Sequence, residues 1–584
     1  MTRVLLAVLL QAASVAALAE PAAPPVAAIV KGELGQKLDA CLSRLEALGY
    51  SGGLAVVKGA ETVVLKGYGQ ADRERGLPMR PDSVFNLGSI TKPFTAAAIL
   101  RLEELGKLKT GDLLSRHLEG VPEDKAGITL EHLLTHSSGL ESDFGPDYEP
   151  TTREEYVRRA LASKLLFAPG QGYEYANAGY SLLAAVVERV SGLDYEAALD
   201  ELVLKRAAMP ETGYKAPRWN AARVAHGYRG GEDWGTILGR IEAPGAPFWA
   251  LRGNGGLHTT LADMVRWDAA LRGDAVLGAA ARESYLRPRV AEGPGAESHY
   301  AFGWVVETTP HGTLVQHNGG NGVYVAELLR FVDEGVMIFL ASTVAELKAT
   351  PVVPALTAIV VGEPYELPPA IVPLSPEVLR TRAGRFRAAS GAVVTVRAVE
   401  GGLELQAEDP AGCALLASVP AAERERYERL GARTADIAGR MFKGDPTGIH
   451  EALGGRRTIE EIKAQEADLM RDREARLGPY RGFALVFSAP YDEGRVETAV
   501  RVDFERGSVY NRFLWGPGDG LVGRQAGPEP PGGRYVPVSD RDLVAFRLGG
   551  GGGAERRASF ETEGGASVLV VPGPDGPVRL PRLP

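Results

Sequence analysis

The chain has 584 residues, 45% hydrophobic and 24% charged, with a formal net charge of -9 and a pI near 5.7. That length exceeds what one compact core usually holds and predicts several domains in a globular protein of ordinary composition. The acidic balance offers no concentrated basic surface, which excludes a nucleic-acid partner from the expectations.

The N-terminus, MTRVLLAVLLQAASVAALAE, carries Arg3, an apolar run and Ala17-Leu18-Ala19. These are the parts of a secretory signal peptide over residues 1–19, predicting export to a periplasm or the extracellular space and no stable membrane span after cleavage. An uncleaved anchor is the competing reading. Helical spacing of Leu34, Leu38, Cys41, Leu42 and Leu45 follows, then strands at 54–57 and 63–65 around a Lys58-Gly59 turn. Between helix and strand lies GYSGG, residues 49–53, which spells the Gly-x-Ser-x-Gly of a nucleophile elbow. An elbow needs a strand running into its serine and a helix leaving it. Here the order is reversed, so Ser51 reads as a turn residue. The two cysteines, Cys41 and Cys413, are open to pairing or to two free thiols.

NLGSITKPFTAAAILRLEELGKL opens a helix at Ser89-Ile90-Thr91-Lys92, with Pro93 tolerated in its first turn. Ser89 and Lys92, three apart, share one helical face. A serine at a helix N-terminus has free N–H groups and a favourable dipole for developing negative charge, and the lysine offers a proton acceptor. An ordinary first-turn serine with a solvated lysine is the plain alternative. Further on, Tyr175-Ala176-Asn177 precedes an amphipathic helix. Tyr175 is open to proton transfer or to a core role, and Asn177 to orienting Lys92 and a carbonyl or to capping the helix. His317-Asn318-Gly319-Gly320 precedes a strand, and its glycines would let a substrate lie along the backbone; the alternative is a turn with a surface histidine. Tyr324–Phe331 and Val336–Leu340 read as a hairpin around Asp333-Glu334-Gly335.

SGGLAVV, NLGSITKPFTA, LLTHSSGL, PGQGYEYANAGYSLL, NGGLHTTLADMVRW and HNGG run in an order that resembles the serine β-lactamase and penicillin-binding-protein superfamily. The branch it resembles holds class C β-lactamases, D-Ala-D-Ala carboxypeptidases, D-aminopeptidases and related esterases. The resemblance covers roughly residues 35–345. It implies an α+β fold, a β-lactamase-like domain over 32–364 with an antiparallel sheet flanked by helices and an all-helical subdomain. It implies Ser89 as the acylated nucleophile, Lys92 and Tyr175 as the proton-handling pair, and Asn177, His317 and Gly319 as substrate-orienting residues. The backbone N–H groups of Ser89 and Gly320 would form the oxyanion hole. Lys109-Thr110-Gly111 spells another third motif of such enzymes but follows the Ser89 helix with no strand, so HNGG takes that place. Free Tyr and Lys titrate near 10, so either must fall by about 3 units to act as a base at neutral pH. They are treated as one coupled unit.

Pro-rich residues 365–376 read as a linker. Beyond it VVTVRAV, GGLELQ and CALLASV read as strands in a β-rich segment over 377–430. Residues 431–476 read as helical, and 477–584 as a C-terminal antiparallel β domain with lipocalin-like texture, its five glycines at 549–553 forming a hairpin connection. Such a domain would shield the active-site mouth or add stability. The expected function is an exported serine hydrolase of ester or amide bonds, acting on a small molecule or short peptide with no metal or other cofactor. Because a neutral His317 replaces a lysine, the site lacks a permanent positive charge for a substrate carboxylate, which favours general ester or amide cleavage over strong β-lactamase activity. The alternative is a non-catalytic peptidoglycan- or peptide-binding protein on the same scaffold. Oligomeric state is left open.

Overall fold

The structure is a computed structural model that describes residues 26–584 apart from 216, 230, 242–247, 294, 346, 400, 418, 420, 456, 491–493, 528–531, 546–555 and 574–575. The signal-peptide residues 1–19 and the glycines 549–553 lie outside the described residues. Nine strands form one antiparallel sheet: β1 (Ile29–Val30), β2 (Gly52–Lys58), β3 (Glu61–Tyr68), β4 (Val290–Ala291), β5 (His299–Tyr300), β6 (Val305–Thr309), β7 (Gly312–Gly320), β8 (Val325–Phe331) and β9 (Val336–Ser342). Their spatial order is β1-β3-β2-β9-β8-β7-β6-β5-β4. The expected hairpin is β8–β9, with Phe331 opposite Val336.

Both faces of this sheet are covered, so its central strands are apolar on both sides. Along β9, Val336, Ile338 and Leu340 join one core with α1 (Gly32–Ala47), while Met337, Phe339 and Ala341 join a second core on the opposite face. That second core holds α2 (Thr91–Glu104), α3 (Asn177–Ser191) and α4 (Leu261–Arg272). The period-2 side-chain alternation of a strand produces this division. α2 is buried on nearly every side, the mark of a central helix. Phe94 of α2 stacks on Trp267 of α4 with ring centres 4.3 Å apart, fixing the helix whose N-terminus carries Ser89.

Ser51 is a buried turn residue between α1 and β2. Its Oγ accepts the N–H of Gln70, and its carbonyl accepts the N–H of Thr343. Lys109-Thr110-Gly111 lies in the turn after α2, where Asp112 accepts the Lys109 N–H and Glu103 the Thr110 N–H. Cys41 and Cys413 are both free and buried.

Glu327 of β8 is 6% exposed and bonded to the Thr350 hydroxyl, and burial raises its carboxyl to about 7. Between about pH 4.5 and 7 the folded chain therefore holds a proton that the unfolded chain has released, so this group lowers stability as pH rises through that window. Glu327→Gln is expected to remove that loss, roughly 3 kcal/mol at most. Thermal melts should show the variant gaining on the parent between pH 4 and pH 8.

Residues 363–375 have no regular structure. Beyond them an eight-stranded antiparallel sheet takes Gly384–Arg387, Val393–Val399, Gly402–Ala407, Gly532–Pro537, Asp542–Ala545, Arg556–Glu563, Ala566–Gly573 and Gly576–Pro581 in that spatial order. A bridge between Phe386 and Arg582 nearly closes it into a barrel. Strands expected in 377–430 and in 477–584 thus share one sheet. The helices Arg424–Met441 and Ile459–Leu477 and a separate four-stranded sheet over 480–527 form an excursion between two of its neighbouring strands. CALLASV is a correction: its first residues end the helix Pro410–Leu416, because Asp409 caps it by accepting the Gly412 N–H at 2.6 Å and Pro410 fits the first turn. A short apolar run does not distinguish strand from buried helix by its period alone. This second unit touches the first on the α1 side: Val536 joins the α1 core and Arg44 donates to the Pro368 carbonyl. Among the described residues no helix is long and apolar enough to cross a membrane.

Candidate active site

The chain leaves the Phe85–Asn86 strand, makes a 3-10 turn at Gly88–Ile90 and enters α2. Gly88 adopts φ +53, and a Cβ there would lie 2.3 Å from the Gly320 nitrogen. A Cβ on Gly319 would lie 2.0 Å from the Leu87 oxygen and 2.7 Å from the Ser89 nitrogen. Only paired glycines let the end of β7 approach the Ser89 turn this closely, with the Gly320 nitrogen against Gly88 and the Ser89 nitrogen against Gly319. His317-Asn318-Gly319-Gly320 is therefore the last stretch of β7 itself rather than a turn before a strand.

Lys92 is fully buried, and its Nζ has three oxygen partners: Ser89 Oγ at 2.9 Å, Asn177 Oδ1 at 2.7 Å and the Asn254 carbonyl at 3.2 Å. An ammonium donates to all three. A neutral amine donates to the two carbonyl-type oxygens, which can only accept, and turns its lone pair to the Ser89 hydroxyl. One geometry thus serves both states. Burial lowers the Lys92 pKa to about 7, opposed by the negative charges of Asp143 and Asp147. Asn177 opens α3 without capping it. Ala176 holds the cap position, while the Asn177 amide bridges Lys92 and Asp143, donating to Asp143 Oδ2 at 3.2 Å.

Tyr175 lies over Lys92, with its ring centre 4.6 Å from Nζ. Burial holds its phenol well above the ordinary value, and the nearby Ser89 hydroxyl pulls it back in part. Ser89, Lys92, Tyr175 and Asn177 are thus brought together. His317 is not at the surface. It is 3% exposed, its Nδ1 bonds the Asn318 carbonyl at 2.6 Å and its Nε2 bonds the Tyr300 hydroxyl at 2.8 Å. The carbonyl only accepts, so Nδ1 carries the hydrogen and Nε2 accepts from Tyr300. Burial and the nearby Lys92 lower its pKa to about 3, leaving it neutral. Both ring nitrogens are thus engaged within the protein.

Other participants were not singled out from sequence. The Asn254 side chain is pinned to Ser181 Oγ and the Ala250 carbonyl, which aims its own carbonyl at Lys92. His136, within LLTHSSGL, accepts the Ala176 N–H on Nδ1, and its ring centre is 4.3 Å from that of Tyr175. It has φ +58 and a buried Nε2 with no partner among the described residues, two local costs borne by the residue that backs Tyr175. The open space beside Ser89, ≈ 340 Å³, is lined by Asn86, Ser89, Asp147, Tyr148, Asn177 and Asn321 among others. Among the described residues, none that lines it comes from 377–584.

The family model described as Beta-lactamase matches residues 38–358. The chain is 29% identical over 338 residues to Penicillin-binding protein 4* of Bacillus subtilis (strain 168), covering 55% of this chain and 74% of that protein. It is 36% identical over 214 residues to Esterase EstB of Burkholderia gladioli, covering 33% of this chain and 54% of the esterase, about half its length. The octameric penicillin-binding protein homologue from Pyrococcus abyssi has a similar fold, with a TM-score of 0.51 over 94% of this chain and 100% of that one, at 17% identity. A serine at a helix start hydrogen-bonded to a buried lysine, a family match across more than half of the chain and this likeness of fold agree: the chain belongs to the beta-lactamase family of serine hydrolases and penicillin-binding proteins.

Proposed function

We propose that the protein is an exported serine hydrolase that cleaves ester or amide bonds of small molecules or short peptides through an acyl-enzyme on Ser89. The observation that carries this reading is the Lys92 Nζ, 2.9 Å from Ser89 Oγ and held there by two oxygens that can only accept. Ser89 Oγ attacks the carbonyl carbon and its proton passes to neutral Lys92. The N–H groups of Ser89 and Gly320 receive the negative oxygen. Tyr175, kept as a phenol by burial, relays a proton from Lys92 to the leaving group. Water then releases the acyl group by the same route in reverse. Asn177 and Asn254 keep Lys92 aimed, and His317 acts from behind by fixing Tyr300.

The base must be unprotonated, so kcat/KM for a p-nitrophenyl ester is expected to rise with pH through a midpoint near the Lys92 value of about 7. A rate flat from pH 5 to 9 in the folded protein would contradict Lys92 as the base.

A further inference from the structure

Among the described residues, Asp147 is the one charged side chain that lines the cavity beside Ser89. Among the described residues its carboxylate takes part in no hydrogen bond or ion pair that would satisfy it, and its pKa is raised by burial, by Asp143 and against the pull of Lys92. Asp147 is half-buried in the same cavity as Ser89, so its carboxylate is open to a cationic ligand with no protein partner among the described residues to displace. The other side of the balance points the same way. Among the described residues no lysine, arginine or histidine lines the cavity, His317 is neutral and engaged, and Lys92 is committed to Ser89, Asn177 and Asn254. Two arginines near Tyr148 of the lining are engaged elsewhere: Arg229 donates to the Gly322 carbonyl, and Arg240 stacks on Trp234 and donates to its carbonyl. When Lys92 gives up its proton to act as a base, the cavity is left negative. A substrate carboxylate beside the scissile bond would be repelled, and an ammonium would be drawn in.

We infer that Asp147 is a cation-binding residue of the acyl pocket, and that the preferred acyl donor is a compact group bearing a free amine near its carbonyl, as in an aminoacyl ester or amide. This rests on the hydrolase reading above and narrows it to one class of substrate. Asp147 Oδ accepts from the substrate ammonium and sets the carbonyl against the Ser89 and Gly320 N–H groups. Asp147 forms no bond to the reacting atoms, so its effect falls on choice of substrate.

The test compares alanine p-nitroanilide of both hands with its N-acetyl and N-succinyl derivatives, in the parent protein and in Asp147→Asn and Asp147→Lys, with p-nitrophenyl acetate as a charge-free control. The parent is expected to prefer the free amine over the N-acetyl compound by about tenfold or more in kcat/KM, the effect of one partly screened charge pair. Asp147→Asn should bring that ratio to within about threefold of unity, and Asp147→Lys should reverse the order in favour of the N-succinyl compound. Equal rates on the amine and N-acetyl compounds in the parent, or a ratio unchanged in Asp147→Asn, would overturn the inference while acetate turnover left the hydrolase reading standing. Failure to turn over any of these compounds, acetate included, would overturn both.

Discussion

Ser89→Ala is expected to lower kcat for an activated ester by about 10⁴-fold or more, because the acyl-enzyme route is lost and only positioning by the remaining site persists. Lys92→Met should lose nearly as much, and the double variant no more than the worse single one, since the two side chains act as a unit. The lysine variant has a second, independent signature. Lys92 is lowered to about 7 in the fold against 10.5 in the unfolded chain, so between these values the unfolded chain holds a proton that the folded chain has released. Stability from this group therefore rises with pH from about 7 to 10.5, by up to roughly 5 kcal/mol, and below pH 7 the whole cost of burying the charge is felt. Denaturant unfolding at pH 6, 7, 8 and 9 should show a slope in the parent that Lys92→Met lacks. Equal slopes would mean that the lysine is charged throughout.

The second large effect belongs to Gly319. A Cβ there meets the Leu87 oxygen at 2.0 Å and the Ser89 nitrogen at 2.7 Å, both backbone atoms with no rotamer to yield. Gly319→Val must push β7 away from the Ser89 turn, separating the two N–H groups proposed to hold the oxyanion. A loss in kcat of about 10²–10³-fold is expected, the scale of losing one oxyanion donor. The folded fraction, followed by circular dichroism, should fall less than activity does. Val on the opposite face offers a comparison: a Cβ on Gly320 meets the Tyr324 oxygen at 3.0 Å, a milder clash. A Gly319→Val protein as active as its parent would show that β7 contributes no oxyanion donor.

The parts of the site that were legible in sequence are those in which local spacing fixes geometry. Ser89 and Lys92 share a face because three residues on a helix must, and the glycines of HNGG announce a close backbone approach wherever they sit. Asn177 was half legible. Its place at a helix start favours capping, yet the amide turns to Lys92, 85 residues away, and no local rule weighs that competition. The burial of His317 was not legible, because it packs against Tyr300 on β5 and Tyr175, neither of which is a neighbour in the local pattern. His136 was within a quoted motif, but its left-handed backbone and orphaned Nε2 are visible only after folding. In the C-terminal half the same limit shows in CALLASV, where six apolar residues of seven fit a strand as well as a helix, and the helix start signal lies outside the run, at Asp409-Pro410. The joining of strands near 400 with strands near 535 is a long-range pairing that alternation alone does not specify.

Everything proposed for this chain depends on the hydroxyl at the tip of one buried helix being the group that bonds covalently to substrate. Intact-mass and peptide-level analysis after brief exposure to a fluorophosphonate tests that most directly. One adduct per chain is predicted, on the peptide holding Ser89, present at pH 8, much slower at pH 5 and absent from Ser89→Ala. An adduct on the Ser51 peptide, or equal labelling in Ser89→Ala, would contradict the account.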